Sequence, residues 1–288
     1  MRGNSDLGKG VVNMNIDQAL YELGVRDDTL SDDDIESLDR NGFLRVENAL
    51  TPEQVEVQRR RVYELIELEG EDAGLEVHKE EGADRLGDLV NKDDIFDICF
   101  THPKLLASIR HIVGGDFRMG ALNARNVHPG YGHQAFHQDS GKPGSPGNYE
   151  YVNSIYFLVD FTEENGPTRV VPGSHSGGEL ANEAMDDPTD EHPDEVHLTG
   201  KAGTAYIFNA HLWHGGTINR SDGNRPAVFA YFGRRDVPPY IDQRKYIRPE
   251  TYDRLGDGAK YVLDVQGAEE FTPEGFERSR VVQATGHR

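Results

Sequence analysis

In the segment Gln134-Ala135-Phe136-His137-Gln138-Asp139, a histidine and an aspartate stand two residues apart. In an extended strand, residues i and i+2 project to one face. The spacing therefore predicts the His137 imidazole and the Asp139 carboxylate side by side, with Gln138 on the other side. One histidine from elsewhere in the chain would complete a two-histidine, one-carboxylate set. Such a set occupies one face of Fe(II) and leaves three positions open for a co-substrate and dioxygen. Taken alone, His-x-Asp is a weak signal, because a surface His–Asp pair has the same pattern.

The third ligand has to come from Ala205-Tyr206-Ile207-Phe208-Asn209-Ala210-His211-Leu212-Trp213-His214-Gly215-Gly216, which reads as a strand running into a glycine turn. His211 and His214 compete for the role, and if the strand continues they face opposite sides. His214 is favoured because an arginine follows it at a suitable distance, in Asp222-Gly223-Asn224-Arg225. The Asp-Gly pair predicts a turn that returns the chain as an adjacent antiparallel strand, placing Arg225 beside the metal. A guanidinium there can clamp a carboxylate with two parallel hydrogen bonds, which a lysine cannot do.

These residues need a scaffold, and 288 residues are enough to bury a sizeable core. Residues 1–15 read as a flexible tail and 16–116 as a mainly helical N-terminal part. Ser31 and Thr51 are the expected N-caps, and Thr51-Pro52-Glu53-Gln54 combines a cap, a proline at the first helical position and a capping-box glutamine. A further helix is expected to begin at Thr101-His102-Pro103 and stop at Gly114-Gly115, while 70–95 is charged and carries no clear pattern. From 117 to 237 short β-rich runs alternate with Gly/Pro/Asn turns, at about 118–127, 133–138, 152–161, 168–171, 204–209 and 226–233. That pattern predicts a sandwich or barrel with helices packed beside it, in one domain. Residues 238–288 form a C-terminal extension.

The charge balance excludes some partners. Thirty Lys and Arg against 51 Asp and Glu give a net charge of −21. Nucleic acid and anionic membranes need a basic footprint, so neither is expected. No apolar run reaches the roughly 18 residues of a membrane span, and the polar start has no signal-peptide core. The single cysteine, Cys99, forms no intrachain disulfide and fits a reducing compartment, so the expectation is a soluble cytoplasmic protein. Of 12 histidines, most read as scattered surface residues.

Phe136-His137-Gln138-Asp139, the run Asn165-Gly166-Pro167-Thr168-Arg169-Val170-Val171-Pro172-Gly173-Ser174-His175, and Leu212-Trp213-His214-Gly215 with Arg225 occur in an order and spacing that resemble a known family. So does the start Asn41-Gly42-Phe43-Leu44-Arg45-Val46 followed by Thr51-Pro52-Glu53. The family is the phytanoyl-CoA dioxygenase-like (PhyH) group of Fe(II)/2-oxoglutarate-dependent oxygenases, and the resemblance covers roughly residues 30–240. It implies a mainly β fold with flanking helices, the double-stranded β-helix or jelly-roll/cupin-like barrel. It also implies Fe(II) on His137, Asp139 and His214, the distal carboxylate of 2-oxoglutarate on Arg225, and Gln134 and Thr168 helping to hold that co-substrate. His175, in the Pro-Gly-Ser-His turn, is structural in the family. The implied reaction uses O2, releases succinate and CO2, and hydroxylates an unactivated C–H bond. In related halogenases a small residue replaces the carboxylate, so Asp139 favours hydroxylation, though desaturation, epoxidation and ring formation use the same site.

Substrate contacts are less defined. Asn123 and Arg125 share a strand face, Trp213 precedes a ligand, and Tyr151, Tyr156 and Tyr231 lie on neighbouring strands. For the aromatics ordinary core packing competes, and for Arg125 an ion pair with an acid does. The loops 141–148 and 177–200 could cover the site, and Asp236 to Ile247 could fold back as a wall or a dimer contact. Arg59-Arg60-Arg61 spreads around a helical turn and cannot gather one phosphate. With the negative charge, that favours a small metabolite over a CoA ester. Two other readings stay open, a 2-oxoglutarate-independent cupin-like metal enzyme and a non-catalytic jelly-roll binding module.

Overall fold

The computed structural model describes residues 14–267. The tail expected over 1–15 lies, except for its last two residues, outside that range, as does 268–288 of the C-terminal extension. The helices form where their caps predict. After α1 (Ile16–Glu22), Ser31 Oγ accepts from the Asp34 amide at 3.2 Å and opens α2 (Asp32–Asn41). Past β1 (Phe43–Val46), Thr51 Oγ1 accepts from the Gln54 amide at 3.2 Å while Gln54 Oε1 accepts from the Thr51 amide at 2.9 Å, opening α3 (Pro52–Glu69). Each pairing satisfies N–H groups that the first helical turn leaves without partners. Then come β2 (Ala83–Leu86), α4 (Ile98–Thr101) and α5 (Pro103–Val113). The last of these stops at Gly114 in the left-handed region, φ 64°.

The strands follow: β3 (Phe117–Val127), β4 (Tyr151–Phe157), β5 (Thr168–Val170), a short α6 (Ala181–Ala184), β6 (Val196–Leu198), β7 (Ala205–Asn209), β8 (His214–Gly216) and β9 (Arg225–Arg234). Three short helices, α7 (Gln243–Tyr246), α8 (Pro249–Arg254) and α9 (Asp257–Val262), end the described chain. The strands form two antiparallel sheets. The major sheet has the order β1-β7-β4-β9-β3-β2 and the minor sheet β6-β5-β8. Two facing antiparallel sheets with helices along one side make the double-stranded β-helix.

The two faces of the major sheet are filled differently, following the period-2 alternation of each strand. On one face Val152, Tyr156, Val228, Ala230 and Phe232 join a core with Val62, Leu105, Leu106 and Ile109 of the helices. On the other, Ile155, Phe157, Tyr206, Phe208 and Ala227 pack against Val170, Leu198 and Leu212. In-register neighbours share a face, so the pairings Arg125↔Ala227, Asn123↔Phe229 and Asn153↔Tyr231 put these polar side chains on the inner face as well.

Three expectations need correction. The 133–138 run is not a regular strand; it meets the minor sheet through one bridge, His137↔His214. The 205–216 run is two strands with a turn between them, so His211 and His214 are not on opposite sides of one strand. β8 and β9 are not a hairpin: the chain crosses after the Asp222-Gly223 turn from the minor to the major sheet. The N-terminal part is mainly helical, and it also supplies both edge strands of the major sheet, β1 and β2.

Candidate metal centre

β8 is the strand on which the centre is assembled. Val170 pairs with His214 and Thr168 with Gly216 across β5 and β8. On the other edge of β8, the His137 amide donates to the His214 carbonyl at 2.9 Å and the Gln134 amide to the Gly216 carbonyl at 2.9 Å. His137 and His214 thus stand in one cross-strand row, and Gln134, Gly216 and Thr168 in the next. Glycine is required at the crossing: a Cβ on Gly216 would stand 2.2 Å from the Gly132 carbonyl oxygen, and one on Gly215 would stand 2.7 Å from that of Gln134. Gly216→Ala should therefore push the 132–137 segment off β8 and displace His137. We expect nickel affinity, measured by competition with a chelator, to fall at least about tenfold, the lower bound for disturbing a ligand's support. Unchanged affinity would refute this.

His137, Asp139 and His214 bring one potential ligand atom each within 4.8 Å of one another, the single such cluster among the described residues. His137 Nε2 lies 3.5 Å from Asp139 Oδ1, and His214 Nε2 lies 3.4 Å from Asp139 Oδ2. Both imidazoles are oriented alike. His137 Nδ1 is 2.9 Å from the Ala135 carbonyl and His214 Nδ1 is 2.9 Å from the Leu212 carbonyl. A carbonyl only accepts, so each Nδ1 carries the proton and each Nε2 presents its lone pair to the centre. Burial pushes the Asp139 carboxyl up, but the adjacent His214 and His137 more than offset it and hold it well below the usual carboxylate range. Burial pushes His137 down, yet the adjacent Asp139 carboxylate leaves it raised, favouring positive charge at Nε2, whether a proton or a metal cation. The donor set, two neutral imidazole nitrogens and one carboxylate, suits a divalent iron-type ion.

Arg225 enters from the opposite wall. It is 2 % exposed, and its Nε and Nη1 have no hydrogen-bond partner. Burial, reinforced by nearby Arg125, pushes its guanidinium down to about 9, so it stays charged at neutral pH. A buried charge with unsatisfied donors is costly unless an anion meets it. The residues present therefore fit a divalent metal on the histidine–aspartate cluster and an anionic group meeting Arg225.

The remaining candidates separate. Asn123 and Arg125 lie on the inner face, and Arg125 is bound bidentately by Glu80, with Nε to Oε2 at 2.9 Å, while its Nη1 reaches Gln134 Oε1 at 3.5 Å. Tyr151 and Tyr231 stack with centroids 5.2 Å apart on that face. Burial, then the Asp139 charge, raises the Tyr231 hydroxyl. Tyr156 points the other way, into the helix-facing core. Trp213 is also turned away. Strand alternation sends it opposite His214, into a cluster with Phe136, Val171 and Ala181, where its indole donates to the Glu179 carbonyl at 3.1 Å. His211 accompanies Asn209 at 2.9 Å, with burial pushing it down to about 4. His175 is buried beneath Gly42 and Gly144. The 177–200 loop is tied to the outer face of the minor sheet, since Arg169 donates to the carbonyls of Asp190 (2.8 Å) and Thr189 (3.2 Å). The 236–247 segment folds back on β3, with the Ile241 amide on the Gly120 carbonyl at 2.8 Å and Tyr240 beside Tyr231. Asn153 and Glu80 are two residues that sequence reasoning missed. For Asn153 the available signal was an amide inside the apolar run Val152–Leu158.

The fold and this site define a class: the protein is a non-haem Fe(II)/2-oxoglutarate-dependent oxygenase. The profile of the phytanoyl-CoA dioxygenase (PhyH) family matches residues 38–227, and the chain belongs to that family. The dioxygenase trt7 of Aspergillus terreus is 30% identical over 202 residues, covering 65% of this chain and 68% of its own. The L-proline trans-4-hydroxylase of Streptomyces griseoviridis is 28% identical over 261 residues (75% and 94%). The ectoine dioxygenase of Bordetella parapertussis is 27% identical over 248 residues (75% and 79%). Among solved structures, HygX from Streptomyces hygroscopicus, crystallised with nickel and 2-oxoglutarate, matches with a TM-score of 0.59 at 18% identity, covering 79% of this chain and 94% of its own. The likeness shows the shared fold. Among the described residues no helix is long and apolar enough to cross a membrane.

Proposed function

We propose that His137 Nε2, Asp139 and His214 Nε2 hold Fe(II), that Arg225 receives the distal carboxylate of 2-oxoglutarate, and that the enzyme hydroxylates an unactivated C–H bond of a small polar metabolite. The observation that carries this is the buried, partly unpaired guanidinium of Arg225 behind a preformed His-Asp-His cluster. A 2-oxoglutarate-independent metal enzyme or a binding module has no use for it.

Bound iron and 2-oxoglutarate supply the oxidative chemistry, in which O2 is consumed and succinate and CO2 leave. The chain's own residues position and exclude. The carbonyls of Ala135 and Leu212 fix the ligand tautomers. Gln134 and Thr168 flank the co-substrate row, and Phe229, Tyr231 and Tyr151 wall the inner face. Such a site works by orientation and exclusion of water rather than by an acid–base pair.

A small substrate agrees with relatives named for proline and ectoine. The Arg59–Arg61 run does not argue for a CoA ester, because each arginine is paired on its own helix: Arg59 with Glu56, Arg60 with Glu64 at 3.5 Å and Arg61 with Glu64 at 3.2 Å. With its one thiol buried, we place the enzyme in the cytoplasm.

Anaerobic titration of the protein with Fe(II) and then 2-oxoglutarate tests the proposal. A weak visible charge-transfer band is expected, and its absence from iron-loaded protein would overturn the co-substrate assignment. Succinate release across a panel of small amino-acid-like metabolites then identifies the substrate.

A further inference from the structure

We infer that Asn153 is the positioning residue of the metal centre: its amide fixes the Asp139 carboxylate and decides which oxygen is free to bind the metal. The inference rests on the His137–Asp139–His214 reading above.

The two histidines need no such help, because each is held by a carbonyl of its own segment at 2.9 Å. Asp139 differs. It lies in the turn that follows the His137 bridge, so no strand geometry orients its side chain, and its carboxylate is partly open, at 34 % exposure. The protein hydrogen bond to it comes from the other sheet, where Asn153 Nδ2 donates to Oδ2. Chemistry fixes the direction of that amide, since only its NH2 can face a carboxylate oxygen.

Asn153 is itself rigidly placed. It is 7 % exposed at the middle of β4, with Phe208 of β7 in register on one side and Tyr231 of β9 on the other. Phe208 in turn packs edge-on against the His214 ring at 5.1 Å. The central strands of the major sheet thus hold the one ligand that the minor sheet leaves loose. Oδ2, 3.4 Å from His214 Nε2, has one of its two lone pairs taken by the amide, whereas Oδ1, 3.5 Å from His137 Nε2, keeps both for the metal. A carboxylate so held binds through one oxygen. Released, it can swing to bind through both and cover a position the co-substrate needs.

The test uses the full-length protein with nickel as the probe metal. Outer partners of metal ligands typically support affinity about 10–100-fold, and a loss in that range is expected for both Asn153→Leu and Asn153→Ala. Leu keeps the side-chain volume but donates nothing. A packing role would spare Leu and penalise only Ala; a donor role penalises both alike. The apo melting temperature of Asn153→Leu should stay near the parent's, and 2-oxoglutarate should bind more weakly to its nickel form. Should the Leu variant not fold, the Ala variant carries the same affinity measurement. Nickel affinity within twofold of the parent in the folded variant overturns the inference. His214→Ala is measured in parallel. If it binds nickel like the parent, the ligand assignment itself is wrong; if it loses nickel while Asn153→Leu does not, only the role of Asn153 falls.

Discussion

Asp139→Ala is expected to abolish substrate hydroxylation and to weaken divalent-metal binding by more than about 100-fold. The bound follows from comparison: disturbing groups that merely support a ligand already costs about 10–100-fold, and here a ligand itself is removed. Asp139 is also the sole carboxylate in the cluster, so no neighbouring acid can replace it. The loss should be local. Asp139 lies in a turn, outside the apolar clusters of the barrel, so truncating it opens no core cavity and the apo protein should still fold, with a lower melting temperature because the buried Asn153 amide loses its carboxylate partner. Its removal also takes away the charge that raises His137 against the effect of burial. The measurement pairs substrate-dependent succinate release with nickel binding and a thermal scan. Full turnover in the folded variant would remove Asp139, and with it the facial triad, from the mechanism.

The His137–Asp139–His214 cluster could be read from the sequence because each residue carries its chemistry in its type; that Asp139 lies in a turn rather than on a strand could not. What local patterns could not convey was which sheet a segment joins. Arg225 is buried between the sheets, but by a different route from the expected hairpin. A turn signal at Asp222-Gly223 specifies a reversal of direction; the crossing to the major sheet is set by where β9 finds its partners, β3 and β4. Trp213 shows the same limit. Adjacency to a ligand in sequence implies opposition in an extended chain, and its apolar cluster takes it outward. The strands that left no pattern are short. β1 and β2 have four residues each and β6 has three, too few to display alternation. The charged 70–95 stretch concealed Glu80, whose bond to Arg125 exists only once β2 and β3 lie side by side. Asn153 was hidden for a related reason: its meaning comes from two strand registers and a turn 14 residues away, none of them visible locally.

Arg225→Leu is the second large effect, and it should separate binding from stability. Removing one partner of a buried charged contact costs about 2–5 kcal/mol, or roughly 30- to 5,000-fold at about 1.36 kcal/mol per tenfold, so the KM for 2-oxoglutarate should rise by that range. Arg225→Lys should recover little. A lysine brings a point charge, whereas the guanidinium offers a planar pair of donors matched to a carboxylate. Stability should move the other way. Arg225 is 2 % exposed with no hydrogen-bond partner at Nε and Nη1, its cation facing Phe161 at 4.6 Å. A leucine is shorter than arginine but removes that buried charge altogether, so the apo variant should melt no lower than the parent, whereas the parent alone should be stabilised by co-substrate. At 100 times its Kd a ligand adds about 2.7 kcal/mol to the folded state, a shift that thermal scans of the nickel-loaded proteins with and without 2-oxoglutarate resolve. A parental KM in Arg225→Leu would sink the clamp. The pattern of opposite signs also discriminates between functions. In a metal enzyme that never meets 2-oxoglutarate, the buried guanidinium is a standing cost with nothing to offset it, and its replacement would raise stability at no loss of activity. In an oxygenase, that same unpaired charge is the half of a contact that the co-substrate completes.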